Sequence, residues 1–243
     1  MTESGAPTPE PPRQLTLDLP HRAATGAGDF LVSGSNAAAV ELIDRWPDWP
    51  QPGALLAGPA ACGKSHLAAV WQGRTGAPLF AAGTLDDATV TQFQADGVRA
   101  LVVEDIDRGI ADERILFHLL NHGRETGRTV LLTSRRAPGD LEIALPDLRS
   151  RLRALAIITI EDPDDALLGA VLVKLFADRQ LAVEPPVIGY LLRHLDRSFE
   201  AARATVAAID GLALARQRKV TRAIAAEALA ALGGTGEPDD RSR

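Results

Sequence analysis

Only one cysteine, Cys62, occurs in 243 residues, so the chain has neither a disulfide framework nor cysteine spacing for a metal, and a reducing compartment suits it. Basic charge is not in excess either. The balance of 26 Lys and Arg against 32 Asp and Glu gives a formal net charge of -6 and a pI near 5.4. Non-specific DNA affinity comes from neutralising phosphates, so this balance speaks against a protein whose main work is wrapping DNA and leaves room only for a local basic patch. No run approaches the roughly 18 apolar residues of a membrane span. The proline-rich start lacks the basic and apolar regions of a signal peptide, and there is no internal repeat. A cytoplasmic protein is expected. What is present is 46% hydrophobic residues, enough for one α/β domain with a smaller appendage.

The most informative stretch is Gly58-Pro59-Ala60-Ala61-Cys62-Gly63-Lys64-Ser65, which fits the phosphate-binding pattern G-x-x-x-x-G-K-[ST]. Its flanks carry as much weight as the match. Gly53 to Ala57 reads as a buried strand, and Ser65-His66-Leu67-Ala68-Ala69-Val70-Trp71 has helical periodicity with one apolar face. Glycines let backbone N–H groups close around phosphate oxygens, and the helix N-terminus adds partial positive charge. In such a loop Lys64 reaches the β- and γ-phosphates and the Ser65 hydroxyl ligates Mg²⁺. Residues Gly58 to His66 are therefore the candidate nucleotide-binding set, the alternative being a glycine-rich turn between strand and helix.

Prolines 7, 9, 11 and 12 mark an extended or disordered tail over residues 1–27. Inside it, Gln14-Leu15-Thr16-Leu17-Asp18-Leu19 alternates leucines with polar residues, as bait on a flexible arm or as an edge strand of the protein's own sheet. A nucleotide-binding core is expected over 28–161. It holds helices near 36–46, 84–94 (capped by Thr84) and 112–125, and strands near 78–81, 99–103, 128–132 and 154–160. The third strand ends in Glu104-Asp105-Ile106-Asp107. Carboxylates at the end of a buried apolar strand are costly unless used. Beside a P-loop, Glu104 is assigned to the metal and Asp105 to the attacking water; alternatively Asp105 and Asp107 cap a turn. Thr133, at the tip of the next strand, can hydrogen-bond that water or the γ-phosphate, or can form a turn. Arg149, Arg151 and Arg153 decorate a solvated helix face, or one of them projects toward another subunit's nucleotide. From 162 to 232 the pattern is helical throughout, near 164–180, 186–195, 198–216 and 222–232, and 233–243 is a polar tail. The basic residues Arg216, Arg218, Lys219 and Arg222 read as a solvated surface of this helical lid, the alternative being a direct contact with DNA.

This order of P-loop, acidic strand end, Thr/Ser strand end, Ser-Arg-Leu and helical lid resembles the AAA+ ATPases over roughly residues 28 to 232. Phe30 to Asn36, Leu131 to Ser134 and Leu148 to Leu152 resemble the DnaA group within them. The 11 residues from Gly233 leave no room for a DNA-binding helix-turn-helix, so the pattern, with its Gln-Leu-x-Leu-x-Leu peptide, resembles DnaA-related regulators of the Hda type. The resemblance implies an αβα sandwich with a parallel sheet, bound ADP or ATP with Mg²⁺, and DnaA and the replicative sliding clamp (the DNA polymerase III beta subunit) as partners, at the nucleoid or replisome. Gln14, Leu15, Leu17 and Leu19 would engage the clamp, Arg151 would act in trans as an arginine finger on nucleotide bound by DnaA, and DnaA would be left in its ADP form. Arg203, in preference to Arg197, would sense the chain's own nucleotide. Glu104 stands where that group usually has Asp, which implies weak or no intrinsic hydrolysis. The alternatives are a self-contained AAA+ ATPase such as a helicase loader or initiation factor, and a non-enzymatic adaptor joining clamp to DnaA.

Overall fold

The computed structural model describes residues 31–233, so the peptide Gln14 to Leu19 and both tails lie outside the described residues. Strand β1 (Gly53–Ala57), buried at every position, leads into the P-loop. Four further strands, β2 (Leu79–Ala81), β3 (Ala100–Glu104), β4 (Thr129–Ser134) and β5 (Ala156–Thr159), complete an all-parallel sheet in the order β2-β3-β4-β1-β5. Parallel strands covered on both faces need apolar residues at every position, which is why β1, β3 and β4 read as continuous apolar runs.

Successive side chains point to opposite faces and feed separate cores. Leu55, Leu101, Val103, Val130 and Leu132 pack with α3 (Asp87–Gln94), α4 (Glu113–Thr126) and α5 (Pro146–Arg153). Ala54, Leu56, Ala100, Val102 and Leu131 pack with α1 (Ala37–Asp44) and α2 (Lys64–Thr75). At the second core Trp71 is fully buried, stacked on Trp49 at 5.1 Å and edge-on to Trp46 at 6.2 Å.

Most elements fall within two or three residues of their expected limits, and one cap is corrected. Thr84 ends a short 3₁₀ turn (Ala82–Thr84) and caps no α-helix. Asp86 caps α3, its carboxylate accepting from the Thr89 N–H at 2.9 Å while the Thr89 hydroxyl faces the Asp86 backbone N–H. The carboxylate and its reciprocal partner satisfy two N-terminal donors at once, which a lone hydroxyl two residues earlier cannot do. The arginine run forms α5, and Arg149 is spent locally, its guanidinium donating to the Ile143 carbonyl.

Beyond β5 lie α6 (Asp165–Asp178), α7 (Pro185–His194), α8 (Phe199–Arg216) and α9 (Arg222–Ala231). They bury an apolar cluster of their own, with Leu172, Phe176, Leu191, Val206, Ile209 and Ile224 at its centre. Asp164, Ser198 and Thr221 cap α6, α8 and α9 through side-chain oxygens. In the sheet, β1 lies between β4 and β5, so chain connections diverge from its carboxyl end; ligands of open α/β sheets bind at such a switch point. The P-loop and the acidic end of β3 both open onto that edge.

Candidate nucleotide-binding site

The P-loop is shaped by close packing. A Cβ on Gly58 would lie 2.2 Å from the Ile160 carbonyl oxygen, so no larger residue fits without moving backbone. Gly63 has φ 108°, a left-handed value that glycine adopts at little cost. Lys64, 6% exposed, turns its ammonium back on the loop, donating to the carbonyls of Gly58 at 2.8 Å and Pro59 at 2.5 Å, with the Cys62 sulfur at 3.7 Å. Cys62 packs in the α1–α2 core; burial pushes its thiol up despite the opposing effect of Lys64. It fills space and stays protonated.

At the end of β3, the Glu104 Oε1 is buried without a hydrogen-bond partner. Asp105 adopts a left-handed backbone (φ 59°, ψ 45°), uncommon outside glycine. Its N–H donates to the Thr133 hydroxyl at 3.0 Å, and its carboxylate lies 3.3 Å from the Arg108 guanidinium. Thr133 is fully buried and supports the backbone of Asp105. Asp107 does more than cap a turn. It accepts from the Arg135 N–H at 2.9 Å and from the Arg135 guanidinium at 2.6 Å. Burial pushes the Asp107 carboxyl up, but the backbone and guanidinium bonds from Arg135 more than offset this and hold it below its ordinary value.

A cavity of about 620 Å³ opens between the P-loop and the helical region. Asn36, Ala60, Ala61, Gly63, Lys64, Ser65, His66 and Asp105 line the sheet side, while Leu167, Val171, Lys174, Leu175, Phe199, Glu200 and Arg203 line the helical side. Glu104 and Thr133 are not on its wall. The two sides touch directly: the Phe199 N–H donates to the Ala61 carbonyl at 3.3 Å, and the Phe199 ring would lie 3.1 Å from a Cβ on Gly63. Burial lowers the His66 pKa and the Arg203 charge lowers it further. Arg197 is elsewhere, paired with Asp165 at 2.9 Å and absent from the cavity wall.

Arg151 does not belong to this cavity. It is half-buried near the C-terminus of α5, beside Phe117, Asp147, Ser150 and Ala154 in a separate recess of about 220 Å³. The sequence alone does not mark Phe199, Arg108 or Lys174 as site residues; Arg135, which stands where DnaA-like proteins have an acid, is marked but not its pairing with Asp107. Arg135 directly follows a strand tip on the ligand edge, which was a usable signal; Phe199 and Lys174 reach the cavity only through packing of the helical region. Among the described residues no group of three or more His, Cys, Asp or Glu side chains could hold a metal ion, and no helix is long and apolar enough to cross a membrane.

A phosphate-loop motif following β1 between β4 and β5 of a 2-3-4-1-5 parallel sheet, with a helical region against it, defines the AAA+ αβα fold. Among solved structures the chain is similar to domain III of DnaA. Domain III of the Thermotoga maritima replication initiation protein DnaA superposes with a TM-score of 0.69 at 17% identity, over 83% of this chain and 94% of that one. AMPPCP-bound DnaA from Aquifex aeolicus gives 0.62 at 20% identity, over 74% of this chain and 63% of that one. In sequence, the chromosomal replication initiator protein DnaA of Caulobacter sp. (strain K31) is 28% identical over 208 residues, covering 76% of this chain and 43% of that protein. The chain thus spans less than half the length of that relative. No family model matches it.

Proposed function

We propose that this protein binds ADP or ATP in the cavity and acts as a negative regulator of replication initiation, recruited by the sliding clamp and stimulating ATP hydrolysis by DnaA through Arg151. The placement of Arg151 carries this reading. It sits on α5, outside the chain's own cavity, while Arg203 lines that cavity. A cation on an outer surface can act on a nucleotide only when another chain presents one. Arginine fingers supplied in this way are worth about 10³ to 10⁵ in rate.

In the cavity, phosphate oxygens would replace the Gly58 and Pro59 carbonyls as partners of Lys64, exchanging neutral acceptors for charged ones. The P-loop N–H groups and Arg203 would take further oxygens. The residues fit Mg²⁺ in its usual nucleotide setting, with few protein ligands and the rest phosphate and water. The Ser65 hydroxyl lies on the wall and is placed to hold the metal, whereas Glu104 Oε1, buried and without a partner among the described residues, stands behind the wall and would reach it only after a local shift. Bound there, the metal would neutralise charge between the phosphates. Thr133 holds the Asp105 backbone in place, and Asp105 would orient water, its carboxylate shared with Arg108. Sharing that carboxylate weakens it as a water ligand, in keeping with weak intrinsic turnover. The nucleotide then serves chiefly to join the P-loop to Phe199 and Arg203, fixing the shape that docks.

Gln14, Leu15, Leu17 and Leu19 would tether the protein to the clamp, as an extended peptide suits a groove. A DnaA ATP-hydrolysis assay with and without DNA-loaded clamp tests the reading, comparing the full chain with one lacking residues 14–19. Clamp-dependent stimulation by the full chain alone is expected; equal stimulation by both overturns recruitment. The presence of Asp105 on the cavity wall favours a second reading, a self-contained ATPase. Turnover by the isolated protein at a rate unaffected by DnaA would select it.

A further inference from the structure

The far end of the helical region carries a basic surface that the nucleotide site does not use. Residues 216–222 contain Arg216, Arg218, Lys219 and Arg222 and no acid. The fold adds to this run and subtracts from it. Arg216 is neutralised by Glu227 at 2.5 Å. In exchange, the end of α7 is brought against the start of α9: the Arg222 guanidinium lies 4.8 Å over the Tyr190 ring, and that ring stacks on His194 at 4.2 Å. Arg193 stands beside His194, and Arg193, Arg218, Lys219 and Arg222 are all exposed. Among the described residues none of these four forms an ion pair; the nearby acids in the chain are Glu227, already paired, and exposed Asp196. From Phe199 at the P-loop to Arg216, α8 runs about 25 Å at 1.5 Å per residue, so the Arg218 and Lys219 end of this surface is remote from the cavity.

We propose that this surface, Arg193, Arg218, Lys219 and Arg222, binds the phosphate backbone of duplex DNA. Four cations without an ion-pair partner among the described residues, Arg222 held over Tyr190 and the others on flexible stems, supply the charge that phosphates require. The one aromatic ring present is occupied by His194 and Arg222, so it offers no platform for a base, which disfavours single-stranded nucleic acid. It offers no buried aromatic anchor for a protein partner either. The net charge of -6 makes the contact weak and local. Such a contact adds to a tether by effective concentration, with no need for high affinity of its own. Residues 216–222 are a solvated surface as expected from sequence; packing takes Arg216 out of the run by pairing it with Glu227 and adds Arg193.

The test uses the full chain and a fluorescent duplex of arbitrary sequence, read by anisotropy between 50 and 200 mM salt, conditions in which about four neutralised phosphates give a log–log slope of roughly -3 to -4. Arg218→Glu with Lys219→Glu, which reverses two of about four contacts, should weaken binding by at least about tenfold. This pair leaves the Arg222–Tyr190 contact in place, and unchanged nucleotide affinity reports an intact fold. Salt-independent binding, equal binding by the variant, tighter binding to a single strand of the same length, or equal binding to polyglutamate would each overturn the proposal. Loss of DNA binding with DnaA stimulation intact, or the reverse, separates this surface from the hydrolysis reading.

Discussion

The two arginines to which the proposal gives roles stand in opposite settings. Arg203 faces a cavity whose other wall is a phosphate loop, with Lys64, Ser65 and His66 close by. Arg151 sits in a shallow recess with Phe117, Asp147, Ser150 and Ala154, and no phosphate-binding element joins it there. One site is complete within the chain; the other is a single part. The contrast teaches that cationic side chains on related scaffolds acquire roles from what faces them. An arginine opposite a P-loop can contribute to binding by its own chain, and one without such a counterpart has a chemical role only when a second chain brings the anion.

Substitutions can break this contrast. The largest effect on nucleotide affinity is expected from Lys64→Ala, which removes two charge-assisted bonds of about 1.5–3 kcal/mol each and should lower that affinity by roughly 100-fold or more in calorimetry. Arg151→Ala should leave that affinity unchanged. Next comes Arg203→Ala, with a loss of about tenfold for one charged contact. Arg197→Ala should change affinity less than about twofold, because an exposed pair such as Arg197–Asp165 contributes about 0–1 kcal/mol, and that to the fold. Equal losses from Arg197 and Arg203 would dissolve the distinction between a cavity arginine and a surface one.

A smaller effect is expected where the two walls meet. Gly63→Ala places a Cβ at φ 108° and 3.1 Å from Phe199, so denaturant unfolding should show a loss of about 1–2 kcal/mol. The smallest concerns acid stability. Asp107 is held below its ordinary 3.8, so its contribution is fully present above pH 3.8 and is lost as pH falls through the lower folded value. Urea unfolding below pH 3.8 should therefore show a shallower acid loss for Arg135→Ala than for the unaltered chain.

The same contrast explains how much was legible in sequence. The sheet side of the cavity is encoded locally: Gly58 to Ser65 is contiguous, and β1 and α2 on either side announce themselves by apolar runs and periodicity. The acids at Glu104 and Asp105 follow their strand directly. The helical side is encoded by packing. Phe199 reaches Gly63 because Ser198 caps α8 at a point set by the α6–α9 core, and no motif marks it. Arg197 and Arg203 are indistinguishable as residues and both are exposed; α8 presents Arg203 on the cavity wall, and Asp165 pairs with Arg197 away from it. The partner of Asp107 was hidden for a similar reason, since it lies 28 positions away on the loop after β4. Thr133 was singled out as a water or phosphate contact, and the structure shows its hydroxyl engaged with the Asp105 backbone, an interaction that needs both strand ends in register.

The most direct test of the account measures ATP hydrolysis by DnaA in the presence of DNA-loaded clamp and either the unaltered chain or Arg151→Ala, with nucleotide binding by both checked first. Nucleotide affinity should be the same, and stimulation should fall by about 10³ or more with Arg151→Ala, as for loss of an arginine finger. Full stimulation by Arg151→Ala would contradict the account and leave the protein as a tether between clamp and DnaA.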